Sequence, residues 1–250
     1  MSTIIFWFSG TGNSLYAAKR LADGIGDASL VSMARAVPPD SLGGDGEKIG
    51  FVFPSYYCNL PRIVRSFAEK IKIKDGTYLF AIVTMGGLGQ GSIAVLETIF
   101  KQKNLRLDYA RGIRMPPNYV INYNPADNTK IGRTFEKAEK KLREMSLQIK
   151  SGVQSVKKIK LISDKLYKNI ETLDLGYFTE NTCTSCGQCA KICPVANIKI
   201  ENGKPIWLHH CEHCVTCISW CPAQAIQYGG KTKTRRRYRN PAITVNEIMK

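Results

Sequence analysis

Eight of the nine cysteines lie between Cys183 and Cys221, and their spacing is the strongest chemical signal in the chain. They form two copies of C-x2-C-x2-C-x3-C-P: Cys183, Cys186, Cys189, Cys193 and Pro194, then Cys211, Cys214, Cys217, Cys221 and Pro222. Three thiolates on so short a loop converge on one iron–sulfur cluster, and the fourth lies too far along to close the same cage. The two runs are therefore expected to interlock. Cys183, Cys186, Cys189 and Cys221 would hold one 4Fe–4S cluster; Cys211, Cys214, Cys217 and Cys193 would hold the other. Structural zinc takes four ligands, usually as two separated pairs, and needs neither the third cysteine nor the proline. A disulfide framework suits a secreted chain. Here the N-terminus has no basic leader, and its apolar run breaks at Ser9.

Three loops that follow apolar runs carry the remaining chemistry. Ser9-Gly10-Thr11-Gly12-Asn13-Ser14 contains Gly-x-Gly, but Leu15 stands where a dinucleotide fingerprint has its third glycine, and no P-loop lysine is present. The loop instead offers the hydroxyls of Ser9, Thr11 and Ser14, the Asn13 amide and backbone N–H groups at a helix N-terminus. Such a nest binds a phosphate dianion without a side-chain cation. The second loop is Pro54-Ser55-Tyr56-Tyr57-Cys58-Asn59. The third, Thr84-Met85-Gly86-Gly87-Leu88-Gly89-Gln90-Gly91, lets backbone approach a flat ring closely. Cys58 reads as a small apolar residue rather than a nucleophile. His209, His210 and His213 read as surface residues flanking the second run.

The elements that must position these loops follow from periodicity. Ile4–Phe8, Ile49–Phe53 and Tyr78–Val83 are continuous apolar runs, the mark of strands buried on both faces. A short strand is expected at Leu30–Met33 and a half-exposed edge strand at Leu105–Tyr109. Helical stripes follow Ser14, open at Pro61, run from about Ser92 to Lys103, and continue from Ile131 to Ile149. Alternating strands and helices predict a parallel sheet with helices on both faces over residues 1–150. A lysine-rich connector spans 151–176, with a short helix expected around Asp164–Leu173. The cysteine domain spans 177–230 and a basic tail 231–250.

Open α/β sheets bind ligands at the carboxyl ends of their strands, where all three loops fall. The first 150 residues resemble flavodoxins, through Ser9–Ser14 as a phosphate loop and the two loops after Phe53 and Val83. The resemblance implies a doubly wound five-stranded parallel sheet holding FMN. Its site residues would be Ser9, Gly10, Thr11, Gly12, Asn13, Ser14, Pro54, Ser55, Tyr56, Tyr57, Thr84, Met85, Gly86 and Gly87, with Tyr56 or Tyr57 against the isoalloxazine. Residues 177–228 resemble bacterial-type ferredoxin domains with two 4Fe–4S clusters, a small α+β fold. Together the halves resemble the flavodoxin–ferredoxin fusion proteins of anaerobic bacteria and archaea. That resemblance implies electron transfer coupling one- and two-electron carriers. The alternative is a flavin-dependent reductase of a small substrate, with a pocket built partly from Asn118–Asn128 and a proton from Tyr119 or Tyr123.

Charge and compartment complete the expectations. The formal net charge is +16. Two clusters and a flavin phosphate would bring it to about +10, still basic. Acidic redox partner proteins suit such a surface, and a second copy of the chain is a candidate partner. The run Arg235, Arg236, Arg237, Tyr238, Arg239 could meet nucleic acid but better suits redox docking or a solvated tail. No apolar run reaches the length of a membrane span. Reduced cysteines imply a cytoplasmic protein.

Overall fold

The computed structural model describes residues 2–87, 89, 91–156 and 170–250. Most of the helix expected around Asp164–Leu173, and Leu88 and Gln90 of the third loop, lie outside the described residues.

Strands β1 (Thr3–Trp7), β2 (Ala28–Ser32), β3 (Lys48–Pro54), β4 (Tyr78–Met85), β5 (Tyr109–Arg114) and β6 (Ser155–Val156) form one sheet in the order β2-β1-β3-β4-β5-β6. All pairings are parallel. The order 2-1-3-4-5 is the flavodoxin-like doubly wound order, with its topological switch between β1 and β3. The sheet has six strands rather than five, because Ser155 and Val156 add a two-residue edge beside Tyr109 and Ala110. Helices α1 (Asn13–Ile25) and α4 (Asn128–Lys150) cover one face; α2 (Arg62–Lys70) and α3 (Gly91–Lys101) cover the other. β3 and β4 are buried on both faces, which explains their unbroken apolar sequences. Gly24 sits inside α1, where a Cβ would meet Ser146 Oγ of α4 at 2.1 Å, so it lets the two helices approach.

The fifth strand lies later than the alternation in Leu105–Tyr109 predicts. Leu105 N–H bonds Phe100 O and closes α3, and Asp108 bonds Leu79 through both its backbone and its side chain before the strand begins. Arg111, Gly112 and Arg114 break the apolar pattern of the true strand. Arg111 reaches over the sheet edge to Ser155 O at 2.8 Å, so its charge does not preclude a strand.

The cysteine region folds as two short antiparallel pairs and two one-turn helices. β7 (Tyr177–Thr179) pairs with β10 (Ile226–Tyr228), and β8 (Ile198–Glu201) with β9 (Lys204–Trp207). The β8–β9 turn is Asn202-Gly203, both at positive φ, as a two-residue hairpin requires. Helices α5 (Gln188–Ile192) and α6 (Thr216–Trp220) follow the first and second cysteine loops and pack on each other.

Residues 231–250 are not a solvated tail. They return to the first domain as a strap. Arg235 donates to Val120 O and Ile121 O, and Arg236 to Asn124 Oδ1 and Pro125 O. Tyr238 OH donates to Asn13 Oδ1 at 2.6 Å, and Asn240 N–H donates to Thr11 O at 2.8 Å. Ile243 and Ile248 join the α1–α4 core, helix α7 (Val245–Met249) rests on α5, and Lys19 pairs with Glu247 at 2.7 Å. The basic run made this segment look like solvent-facing chain. The Arg235, Arg236 and Arg237 guanidinium groups instead reach backbone carbonyls, Arg239 lies over the Trp220 ring, and Thr232, Tyr238, Asn240, Ile243 and Ile248 are buried. Replacing Tyr238 by Phe removes one buried hydrogen bond worth about 1 kcal/mol. The thermal midpoint should fall by about 2–4 °C; an unchanged midpoint would show that the strap does not brace the loop through Asn13.

Candidate cofactor sites

A cavity of about 420 Å³ opens at the carboxyl ends of β1, β3, β4 and β5, within the range of pockets that hold one small ligand. Of the loop residues expected there, Ser9, Gly10, Thr11, Asn13, Ser14, Pro54, Ser55, Tyr56, Tyr57, Thr84, Met85 and Gly86 line it. Gly12 and Gly87 do not. Gly12 takes φ +97° at the start of α1 and faces the strap, where a Cβ would meet Asn240 at 2.8 Å. Gly87 is exposed at the loop tip. Cys58 also lines the cavity, at φ +61° beside Tyr57 at +51°. Asn118 and Asn122, from the loop expected to build part of a reductase pocket, line it too, and Met115, Pro116, His213, Cys214 and Val215 join them unannounced by the sequence.

The phosphate loop is held from both sides. Ser9 Oγ accepts from Gly12 N–H at 3.1 Å and Ser14 N–H at 3.2 Å, and Ser14 Oγ lies 2.7 Å from Thr84 Oγ1. The Asn13 side chain is committed elsewhere: it donates to Pro116 O and accepts from Tyr238 and Asn240. It braces the loop rather than offering its amide to a ligand. Among the described residues no charged side chain lines the cavity. An anion there would be held by hydroxyls, backbone N–H groups and the α1 dipole, the donor set that fits a flavin phosphate.

The two tyrosines separate in role. Tyr56 packs edge-on against Phe8, with ring centroids 6.1 Å apart. Tyr57 faces the cysteine domain: its ring stacks on His213 at 6.3 Å and 21°. The Tyr57 and Tyr119 hydroxyls lie 2.5 Å apart and 2.8 and 2.7 Å from His213 Nδ1. His213 is therefore not a surface residue as its sequence neighbours imply; it is 3% exposed. Burial pushes its pKa down to about 4, so the ring is neutral near pH 7.

The cysteine loops share one backbone path. Residues two and four after the first cysteine sit at positive φ in each run: Ser185 and Gly187 in one, His213 and Val215 in the other. Ala196 and Gln224, three residues after the last cysteine of each run, match likewise. Left-handed Val and His are costly conformations that persist where the surroundings hold them. Cys183, Cys186, Cys189 and Cys221 line one small cavity. Cys193, Cys211 and Cys217 share a buried cluster, and Cys193 is among the charges that bear on Cys211, Cys214 and Cys217. Burial pushes the Cys193, Cys211 and Cys217 thiols up, Cys189 to about 11 and Cys214 to about 12, so without a cation these five are held neutral. An iron–sulfur core would reverse this, since ligating thiols are deprotonated. All nine cysteines are free. The donor set fits iron–sulfur clusters.

The two sites touch. A Cβ on Gly10 would stand 2.5 Å from Cys214 O and 3.0 Å from Thr216 Oγ1. Trp220 Nε1 donates to Gly10 O at 2.9 Å. Gly10→Ala must push the phosphate loop off the second cysteine run. Flavin affinity should fall at least about tenfold, since a lost fit of about 1.4 kcal/mol is tenfold; flavin titration followed by fluorescence measures it, and unchanged affinity would show that the contact does not shape the site.

The family described as 4Fe-4S binding domain matches residues 177–199, which carry Cys183, Cys186, Cys189 and Cys193. No curated protein matches the chain. Among solved structures, an FMN-dependent NADH-azoreductase from Bacillus anthracis, solved in complex with FMN, is 13% identical, covering 60% of this chain and all of its own at a TM-score of 0.41. A flavodoxin from the domain Archaea is 10% identical, covering 59% and 99% at 0.34. The Trp repressor binding protein from Bacillus subtilis is 11% identical, covering 56% and 96% at 0.35. With TM-scores this low, the fold assignment rests on the strand order itself. The chain thus joins a flavodoxin-like α/β domain to a 4Fe–4S ferredoxin motif.

Proposed function

We propose that this protein relays electrons within one chain between two 4Fe–4S clusters and FMN. The observation that carries the reading is the shared wall: His213, Cys214 and Val215 of the second cysteine run line the same cavity as the phosphate loop. Bound clusters supply single electrons, and a flavin takes one or two.

The chain's own residues set the order of the path. Cys186 is exposed and Cys183, Cys189 and Cys221 are partly so, whereas Cys193, Cys211, Cys214 and Cys217 are each 8% exposed. The outer set is thus where a redox partner makes contact, and the inner set lies between it and the cavity. Matching positive-φ positions in the two runs support two clusters, with Cys193 and Cys221 exchanged between them. Thr84, Ser14 and the loop N–H groups would hold the flavin phosphate, and Tyr56, Tyr57 and Met85 would flank the ring. Burying the inner sulfurs excludes water from the path. The basic surface suits an acidic one-electron carrier protein. Among the described residues no helix is long and apolar enough to cross a membrane.

A second reading has its own observation. Tyr119, Tyr123, Asn118 and Asn122 line the cavity, as a reductase pocket would need. A volume near 420 Å³ suits one small ligand, which favours the relay over a site holding flavin and substrate together.

Protein purified anaerobically should carry about eight irons and one FMN per chain, and Cys186→Ala should fall to about four irons with flavin retained. About four irons in the parent would reject the two-cluster form. Rapid turnover of a small electrophile by the parent, undiminished in Cys186→Ala protein supplied with reduced flavin, would favour the reductase.

A further inference from the structure

Three of the four sulfurs in the inner set have a hydrogen-bond donor. The His213 amide donates to Cys211 Sγ at 3.2 Å, and the Asn197 amide to Cys193 Sγ at 3.2 Å. Cys214 Sγ lies 3.0 Å from Thr216 Oγ1. Among the described residues no such bond reaches Cys217.

A donor that lacks an acceptor shares the buried cluster of Cys217. The Tyr177 hydroxyl is buried and has no hydrogen-bond partner. The charges that bear on it are Cys217 first, then Cys211 and Cys214. The ring is fixed on several sides. It stacks on Trp207 at 5.4 Å and 7°, and meets Tyr228 edge-on at 4.9 Å and His213 at 5.9 Å. Its backbone is pinned in β7 opposite Tyr228. A hydroxyl held this way cannot turn to water, and buried polar groups in native structures are almost always satisfied. An unsatisfied one is a place to look for a group that completes it. Two further donors around the second run, His213 Nε2 and Ser219 Oγ, are also buried and unpartnered.

We propose that the Tyr177 hydroxyl donates an O–H···S hydrogen bond to the inner cluster at or beside Cys217 Sγ, and that this bond raises the reduction potential of that cluster. The inference rests on the two-cluster reading above. Adding an electron makes the cluster more negative, so a hydrogen bond to its sulfur strengthens on reduction and favours the reduced state. No proton moves and no bond breaks: the cluster takes one electron, the carrier gives one, and the phenol keeps its hydrogen. The bond makes the inner cluster, on the side facing the flavin cavity, a better electron acceptor than it would be without it.

Tyr177→Phe keeps the ring and its stacking and deletes only the donor. Anaerobic potentiometric titration followed by electron paramagnetic resonance reads each cluster. One of the two should become about tenfold harder to reduce, equivalent to about 59 mV for a one-electron couple. The other cluster and the flavin should not move. Difluorotyrosine at position 177 donates more strongly and should shift the same cluster in the opposite direction, which keeps the test open if the Phe variant loses iron. Both potentials unchanged in a variant with about eight irons would overturn the proposal and leave the relay intact. A parent with about four irons would instead reject the two-cluster reading beneath it.

Discussion

The architecture depends on one close approach. Gly10, in the loop after β1, lies so near the carbonyl of Cys214 that no side chain fits between them. Trp220 ties the same glycine through its indole N–H. Because Gly10 belongs to the proposed phosphate loop and Cys214 to the inner cysteine set, this contact would make one wall serve both candidate cofactor sites. Tyr57, Tyr119 and His213 extend the wall with a closed set of hydrogen bonds. Two domains that merely shared a chain would not bury His213 and Cys214 of one against the ligand loops of the other.

The strap completes what that contact begins. It leaves the cysteine domain at Tyr228, crosses the loop after β5 through Arg235 and Arg236, braces Asn13 and Thr11, and ends against α1, α4 and α5. A segment that touches both the phosphate loop and the helix carrying Cys189 couples the geometry of the two sites.

Much of the fold was legible because its central strands are buried on both faces and so read as unbroken apolar runs. The cysteine spacing was legible because ligand number and reach limit what such a run can hold. The misses share a cause: they concern where one part of the chain meets another. His213 reads as polar until Tyr57 and Tyr119 are seen to enclose it. The arginine run reads as a tail until its carbonyl partners are found more than 100 residues earlier. Arg111 and Gly112 hid β5 because a charge at a sheet edge is satisfied by a strand, Ser155–Val156, too short to see in sequence. Asn13 looked like a ligand-binding amide; tertiary hydrogen bonds use it up.

The central claim is that electrons pass between the cysteine domain and the flavin site of the same chain. Stopped-flow reduction of the loaded protein, monitored at flavin wavelengths over a wide range of protein concentration, tests it most directly. With saturating one-electron donor, the account predicts a first-order flavin phase whose rate constant does not change with protein concentration. A rate that rises in proportion to protein concentration would place the transfer between chains and contradict the account.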